Sequence, residues 1–224
     1  MPTLHVLRVF VGADGTFGNP LGVFLSGTEV PAEKRPAVAA DLGFSETVFV
    51  LDPGQGVVEI RTPTVQLPFA GHPLVGTGWL LHEVGQTVDA LRPPAGVVPT
   101  WSDNGEQWIR GRAEWAPVME LRQYPRGAEV DTLTGVSDGF VDAWAWLDQS
   151  AGLVRSRVFA GDAGIVEDEA TGAAAVRLVT ALGRPVEIRQ GRGSRLLARP
   201  GPDGTAEVGG TVVLDEVRDY RLTG

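Results

Sequence analysis

Short apolar–polar alternations, cut at close intervals by glycine and proline, run through most of the chain and predict many short strands joined by tight turns. Leu4 to Phe10 and Val57 to Arg61 read as strands, and Thr47 to Leu51 is a β-branched and aromatic run of the same kind. The stretch G-A-D-G-T-F-G-N-P, Gly12 to Pro20, is a turn-rich loop. Leu21 to Leu25 fits a short helix or a strand. From Pro31 to Leu42 the spacing is helical and stops at Gly43. Pro36 inside it means that the helix starts late or bends there.

Two segments share a plan. Phe69-Ala-Gly-His-Pro-Leu-Val-Gly-Thr-Gly-Trp-Leu-Leu ends at Gly85, and Ala170-Thr-Gly-Ala-Ala-Ala-Val-Arg-Leu-Val-Thr-Ala-Leu ends at Gly183. Each predicts a helix that opens on a glycine and closes on a glycine of the left-handed C-terminal type. Each is followed by a hairpin with a polar turn, Ser102-Asp-Asn-Gly-Glu and Gly201-Pro-Asp-Gly-Thr. Helix and hairpin recur in the same order about one hundred residues apart, which favours an internal duplication over chance similarity of small-residue helices. Both helices are apolar on nearly every side, and a helix apolar all round is buried all round. With strands as the remaining material, each helix is expected inside a curled sheet. The prediction is an α+β fold of two pseudo-symmetric lobes with a cleft between them.

Composition narrows the chemistry. The chain of 224 residues has no cysteine, so disulfides, thiolate metal sites and thiol nucleophiles are excluded. Its net charge of −9 argues against nucleic acid as a partner. There is neither a signal-peptide pattern at the N-terminus nor an apolar run long enough to span a membrane, and the expected location is the cytoplasm. His72 and His82 lie on one helix about 15 Å apart along its axis, too far to share a metal. No H-x-H or H-E-x-x-H spacing occurs, so no metal is expected. Gln190-Gly-Arg-Gly-Ser-Arg-Leu contains G-x-G, but Leu196 holds the third glycine position and no helix pattern follows. A dinucleotide turn is rejected.

Three places can carry chemistry. Gly71-His72 and Thr171-Gly172-Ala173 put helix-start amides where no bulky side chain covers them, an arrangement that suits an anion and equally suits ordinary N-capping. Glu46 lies between a helix end and an apolar strand. Burial there would raise its pKa towards neutrality, as a general base requires; a surface glutamate at a strand edge fits the same position.

Gly18-Asn-Pro-Leu-Gly-Val, Ser45-Glu-Thr-Val-Phe-Val, Pro68-Phe-Ala-Gly-His-Pro-Leu-Val-Gly and Arg157-Val-Phe-Ala…Gly164-Ile-Val-Glu-Asp-Glu-Ala-Thr-Gly-Ala-Ala resemble, in order, the motifs of the PhzF-like isomerases of the diaminopimelate-epimerase-like superfamily. The resemblance implies two lobes, residues 1–112 and 113–210, with the last strand, near Thr211 to Leu222, returning to the first. It implies cofactor-free proton transfer on a small anionic substrate, with Glu46 as proton shuttle. His72 and Asp168 would line the site, and Asn19, Gly71, Thr171, Gly172 and Ala173 would contact substrate. It also allows a homodimer. The two facing cysteines of the superfamily's racemases are matched by Ala70 and Ala174, which excludes two-thiol epimerisation. The T-G-S-A motif reads Thr171-Gly-Ala-Ala, so a ligand-contacting hydroxyl is missing at Ala173. The stretch from Ala113 to Arg155 is short for the family. The expected activity is a 1,3- or longer hydrogen shift; a silent binding or regulatory protein on the same scaffold is the alternative.

Overall fold

The computed structural model of the chain describes residues 1–136, 139–161 and 165–221, so Gly164 of the fourth motif and Leu222 of the last strand lie outside the described residues. The fold is α+β, mostly strand, and divides into two compact units. The first contains Met1–Val9, Pro20–Ile109 and the chain from Val212; the second contains Phe10–Asn19 and Arg110–Thr211.

In chain order the elements are β1 (Thr3–Val9), β2 (Asn19–Phe24), α1 (Arg35–Leu42), β3 (Glu46–Asp52), β4 (Val57–Arg61), β5 (Gln66–Leu67), α2 (Gly71–Glu83), β6 (Ala90–Leu91), β7 (Val98–Asp103) and β8 (Glu106–Gly111). There follow β9 (Glu120–Gln123), α3 (Gly127–Asp131), β10 (Phe140–Asp148), β11 (Leu153–Ala160), β12 (Ile165–Asp168), α4 (Gly172–Leu182), β13 (Val186–Gln190), β14 (Ser194–Pro200), β15 (Ala206–Gly210) and β16 (Val212–Asp219).

The first unit is built on a six-stranded sheet in the order β16-β1-β2-β3-β4-β5. Its N-terminal strand pairs antiparallel with β16 from Thr3↔Asp219 to Val9↔Val212. The residues around Leu21 form a strand, parallel to β3. A single 3-10 turn, Ala32–Lys34, precedes α1, so the proline resolves as a late start: Pro36 sits in the first turn, where its missing N–H is harmless. Gly43 closes the helix in the left-handed conformation, φ 67°. Arg35 anchors α1 by donating to the buried Glu59 at 2.7 Å, with its guanidinium 5.8 Å from the Phe49 ring centre.

The long helix α2 is buried from Gly71 to Gly78 and again at Leu80 and Leu81, and packs on β1, β3, β7 and β16. Gly76 and Gly78 make that approach feasible. A Cβ on Gly78 would lie 2.5 Å from Thr100 Oγ1, and one on Gly76 would lie 2.6 Å from Leu21 Cδ2. The helix ends in a Schellman pair, Gly85 N–H to His82 C=O and Gln86 N–H to Leu81 C=O.

The second unit orders its strands β15-β14-β13-β11-β10-β9. One edge of β11 is shared by two partners. Over Leu153–Ser156 it pairs with β13, and over Val158–Ala160 with β12. The pairs Ser156↔Gln190 and Val158↔Asp168 therefore bring Gln190 and Asp168 to successive positions along that edge. α4 is buried along Gly172–Val176, Leu178 and Val179 and packs on β14 and β15. α3 covers the opposite face of β10, where Val130, Ala143, Ala145 and Phe159 form a small core. Among the described residues no helix is long and apolar enough to cross a membrane.

Candidate active site

The first cluster follows from how β3 begins. The left-handed Gly43 turns the chain out of α1, and Glu46 enters the sheet opposite Leu21 of β2. Because Thr47 to Val50 are all buried, the strand draws its first residue inward; the Glu46 side chain keeps only 16% of its exposure. His72, the second residue of α2, is 3% exposed, and its Nε2 stands 3.6 Å from Glu46 Oε2. Burial pushes the Glu46 pKa up to about 7, against the pull of a hydrogen bond with Ser45. The carboxyl thus has both protonation states within reach at neutral pH. No side chain caps the start of α2, where Gly71 follows the extended Ala70.

The second cluster surrounds Asp168 at the end of β12. Asn19 donates from Nδ2 to Asp168 Oδ1 at 2.7 Å and to the Ala170 carbonyl at 2.8 Å. The Thr171 hydroxyl donates to Asp168 Oδ2 at 2.5 Å. Ordinary capping would have that hydroxyl accept from an amide of the first turn. Here it makes no such bond, and α4 starts at Gly172 and Ala173 without a side-chain cap. Ala173 presents only a methyl group, 7% exposed.

The predicted residues therefore fall into two groups. Glu46, His72 and Gly71 are together in the first unit, and Asn19, Asp168, Thr171, Gly172 and Ala173 are together in the second. Sequence reasoning passed over Gln190. It is 1% exposed and bonds both the Thr171 amide and the Asp168 carbonyl. The signal was present: Val186, Ile188 and Gln190 occupy the inward positions of one strand, and a polar residue on a core face requires a partner. The glycine-rich stretch that follows it is the turn of the β13–β14 hairpin. It leads into no helix, unlike a dinucleotide-binding turn. Among the described residues no group of three or more His, Asp or Glu side chains is placed to hold a metal ion.

The phenazine biosynthesis-like (PhzC-PhzF) family matches residues 9–139. The trans-2,3-dihydro-3-hydroxyanthranilate isomerase of Pseudomonas fluorescens is 30% identical over 223 residues, covering 78% of this chain and 80% of the relative. That of Pseudomonas aeruginosa is 28% identical, covering 81% and 84%. A phenazine biosynthesis PhzC/PhzF protein of Clostridium difficile superposes with a TM-score of 0.82 at 16% identity, over 99% of this chain and all of the other. The chain belongs to the PhzC-PhzF family. It is an isomerase, and the silent-binder alternative gives way to that membership.

Proposed function

We propose that the chain carries out a cofactor-free hydrogen shift on a small carboxylate-bearing metabolite, with Glu46 as the proton shuttle. In its basic form Glu46 takes a proton from a carbon acidified by neighbouring unsaturation or by the carboxylate, and returns it to another carbon of the same molecule. The observation that carries this reading is the buried Glu46 carboxyl, held near pKa 7 beside the His72 imidazole. A base whose pKa lies at the operating pH is unprotonated often enough to start and acidic enough to give the proton back; such a group contributes ~10²–10⁴-fold in rate. His72 orients the shuttle and bonds the substrate's polar groups. Asn19 and Asp168 bind polar groups of the substrate, and the uncapped starts of α2 at Gly71 and of α4 at Thr171–Ala173 favour its negative charge.

The curated relatives suggest trans-2,3-dihydro-3-hydroxyanthranilate, a ring acid that carries the required carboxylate, as the first substrate to try. Turnover in deuterium oxide is expected to place deuterium at the carbon that gains a proton, and Glu46→Gln is expected to abolish both turnover and exchange while remaining folded. A folded Glu46→Gln enzyme with unchanged turnover removes Glu46 from the role of base.

A further inference from the structure

Gln190 lies outside the residues assigned to substrate, yet it holds the Asp168 group in three ways. Its Oε1 accepts the Thr171 N–H at 3.0 Å, and its Nε2 donates to the Asp168 carbonyl at 3.0 Å and to Thr171 Oγ1 at 2.9 Å. The orientation of the amide has one solution: a backbone N–H can only donate and a carbonyl can only accept, so oxygen faces Thr171 N and nitrogen faces Asp168 O. A consequence follows for the hydroxyl between them. Because Thr171 Oγ1 receives a hydrogen from Gln190, its own hydrogen is free to point at Asp168 Oδ2, where it makes the 2.5 Å bond.

The turn after Gln190 grips both strips of chain that carry the site. Glu169 takes hydrogen bonds from the Arg192 amide at 3.2 Å and from Ser194 Oγ at 3.2 Å. Ser194 Oγ also accepts the Gly18 amide at 3.0 Å, one residue before Asn19. The fit leaves no room for side chains. A Cβ on Gly191 would lie 2.6 Å from the Glu169 carbonyl oxygen, and one on Gly193 would lie 2.3 Å from the Phe17 ring.

We infer that the Gln190–Ser194 turn is a clamp that sets the geometry of Asn19, Asp168 and Thr171, with Gln190 as a positioning residue that directs the Thr171 hydroxyl onto Asp168. The inference rests on the proposed role of Asp168 in binding substrate, and it can fail separately from that role.

The discriminating variant is Gln190→Glu. Protonated, the new carboxyl still offers one hydrogen. Ionised, it offers none, repels the Asp168 carbonyl and turns the Thr171 hydroxyl away from Asp168. The variant should therefore acquire a titration that the parent lacks. Two measurements read it: the ¹H–¹⁵N signal of the Thr171 amide between pH 5 and pH 9, and kcat on trans-2,3-dihydro-3-hydroxyanthranilate over the same range. The Thr171 signal of Gln190→Glu is expected to move with pH, and its kcat relative to the parent to fall about tenfold or more from the acidic to the alkaline plateau, with the near-UV circular dichroism unchanged. A merely structural role would lower the melting temperature without adding a kinetic titration. A Thr171 signal and a rate profile that superimpose on the parent's overturn the clamp. Gln190→Met, which removes all three bonds at similar volume, keeps the question open to experiment if the glutamate variant does not fold: it should shift the Thr171 signal and lower kcat at every pH, and a parent-like signal and kcat overturn the clamp. A parent enzyme that does not turn over this acid sinks the proposed substrate, and the Thr171 signal still decides the clamp.

Discussion

A buried carboxyl that is useful to a reaction is a burden on the fold, and the sign of that burden is testable at Glu46. Its pKa is about 7 in the folded chain, against an ordinary value of 4.5. The folded state therefore holds this proton longer than the unfolded state does, and stability falls as pH rises from about 4.5 through about 7. Above pH 7 the whole penalty is present, up to about 3 kcal/mol. Glu46→Gln keeps the shape and removes the charge. It is expected to raise the unfolding free energy at pH 8 by up to that amount and to change it little at pH 4, as chemical denaturation at the two pH values would show. Equal effects at both values would mean that Glu46 is not desolvated. Asp142 in the second unit has the same sign: burial pushes its pKa up to about 6 despite the 2.6 Å hydrogen bond from Ser156. The same residues show where sequence reading stops. A glutamate at the start of an apolar strand has two fates, and only the neighbours that close over it decide between them. Local pattern could not choose for Glu46; the resemblance of Ser45-Glu-Thr-Val-Phe-Val to a family motif could.

At the level of elements the sequence was more legible, because the features that define α2 and α4 are local. Glycine at each start, an apolar surface and a left-handed glycine beyond each end are all readable without knowing what the helix touches. So was the β7–β8 turn, where Asn104 and Gly105 both have positive φ, 52° and 81°, as a two-residue type I′ hairpin requires. What was not legible is why α2 has glycines in its middle. Their reason lies on other strands. Thr100 Oγ1, which the Gly78 backbone approaches, donates to the Trp108 carbonyl at 3.0 Å and accepts from Gln107 at 2.7 Å, so it is held in place. Two effects compete in Gly78→Ala. Alanine improves helix propensity by about 1 kcal/mol. The added methyl meets an atom that cannot retreat, and overpacking of this kind costs about 1–3 kcal/mol. The clash wins, and thermal unfolding should show a lower midpoint for the variant. A higher midpoint would mean that the helix can slide away from β7.

For the whole molecule the decisive feature is that neither unit is one continuous piece of chain. Residues 10–19 belong to the second unit, and the first is completed by β16 from the far end of the sequence. In the sequence reading the return of the last strand came from the family resemblance, since nothing in a strand's own residues names its partner. The physical consequence concerns β1. Leu4, Leu7 and Val9 are fully buried, and the strand is hydrogen-bonded to β16 along its length. Just beyond β16, Tyr220 seals the core of Leu4, Phe24, Val30, Val38 and Phe49, edge-on to Phe24 at 5.6 Å, with its hydroxyl on Asp41 at 2.5 Å. Removing a buried aromatic side chain alone costs about 3–5 kcal/mol, and domains of this kind are stable by only about 5–15 kcal/mol. Losing the β1 ladder as well should exhaust what is left. A chain that stops at Thr211 is therefore expected to lose the cooperative unfolding of its first unit and to exchange the β1 amides as fast as an unfolded peptide. Tyr220→Phe, which loses only the hydroxyl bond, should stay folded with a penalty of about 0.5–1.5 kcal/mol. If the shortened chain melted cooperatively with its β1 amides protected, β16 would be an accessory strand and the first unit would be complete without it.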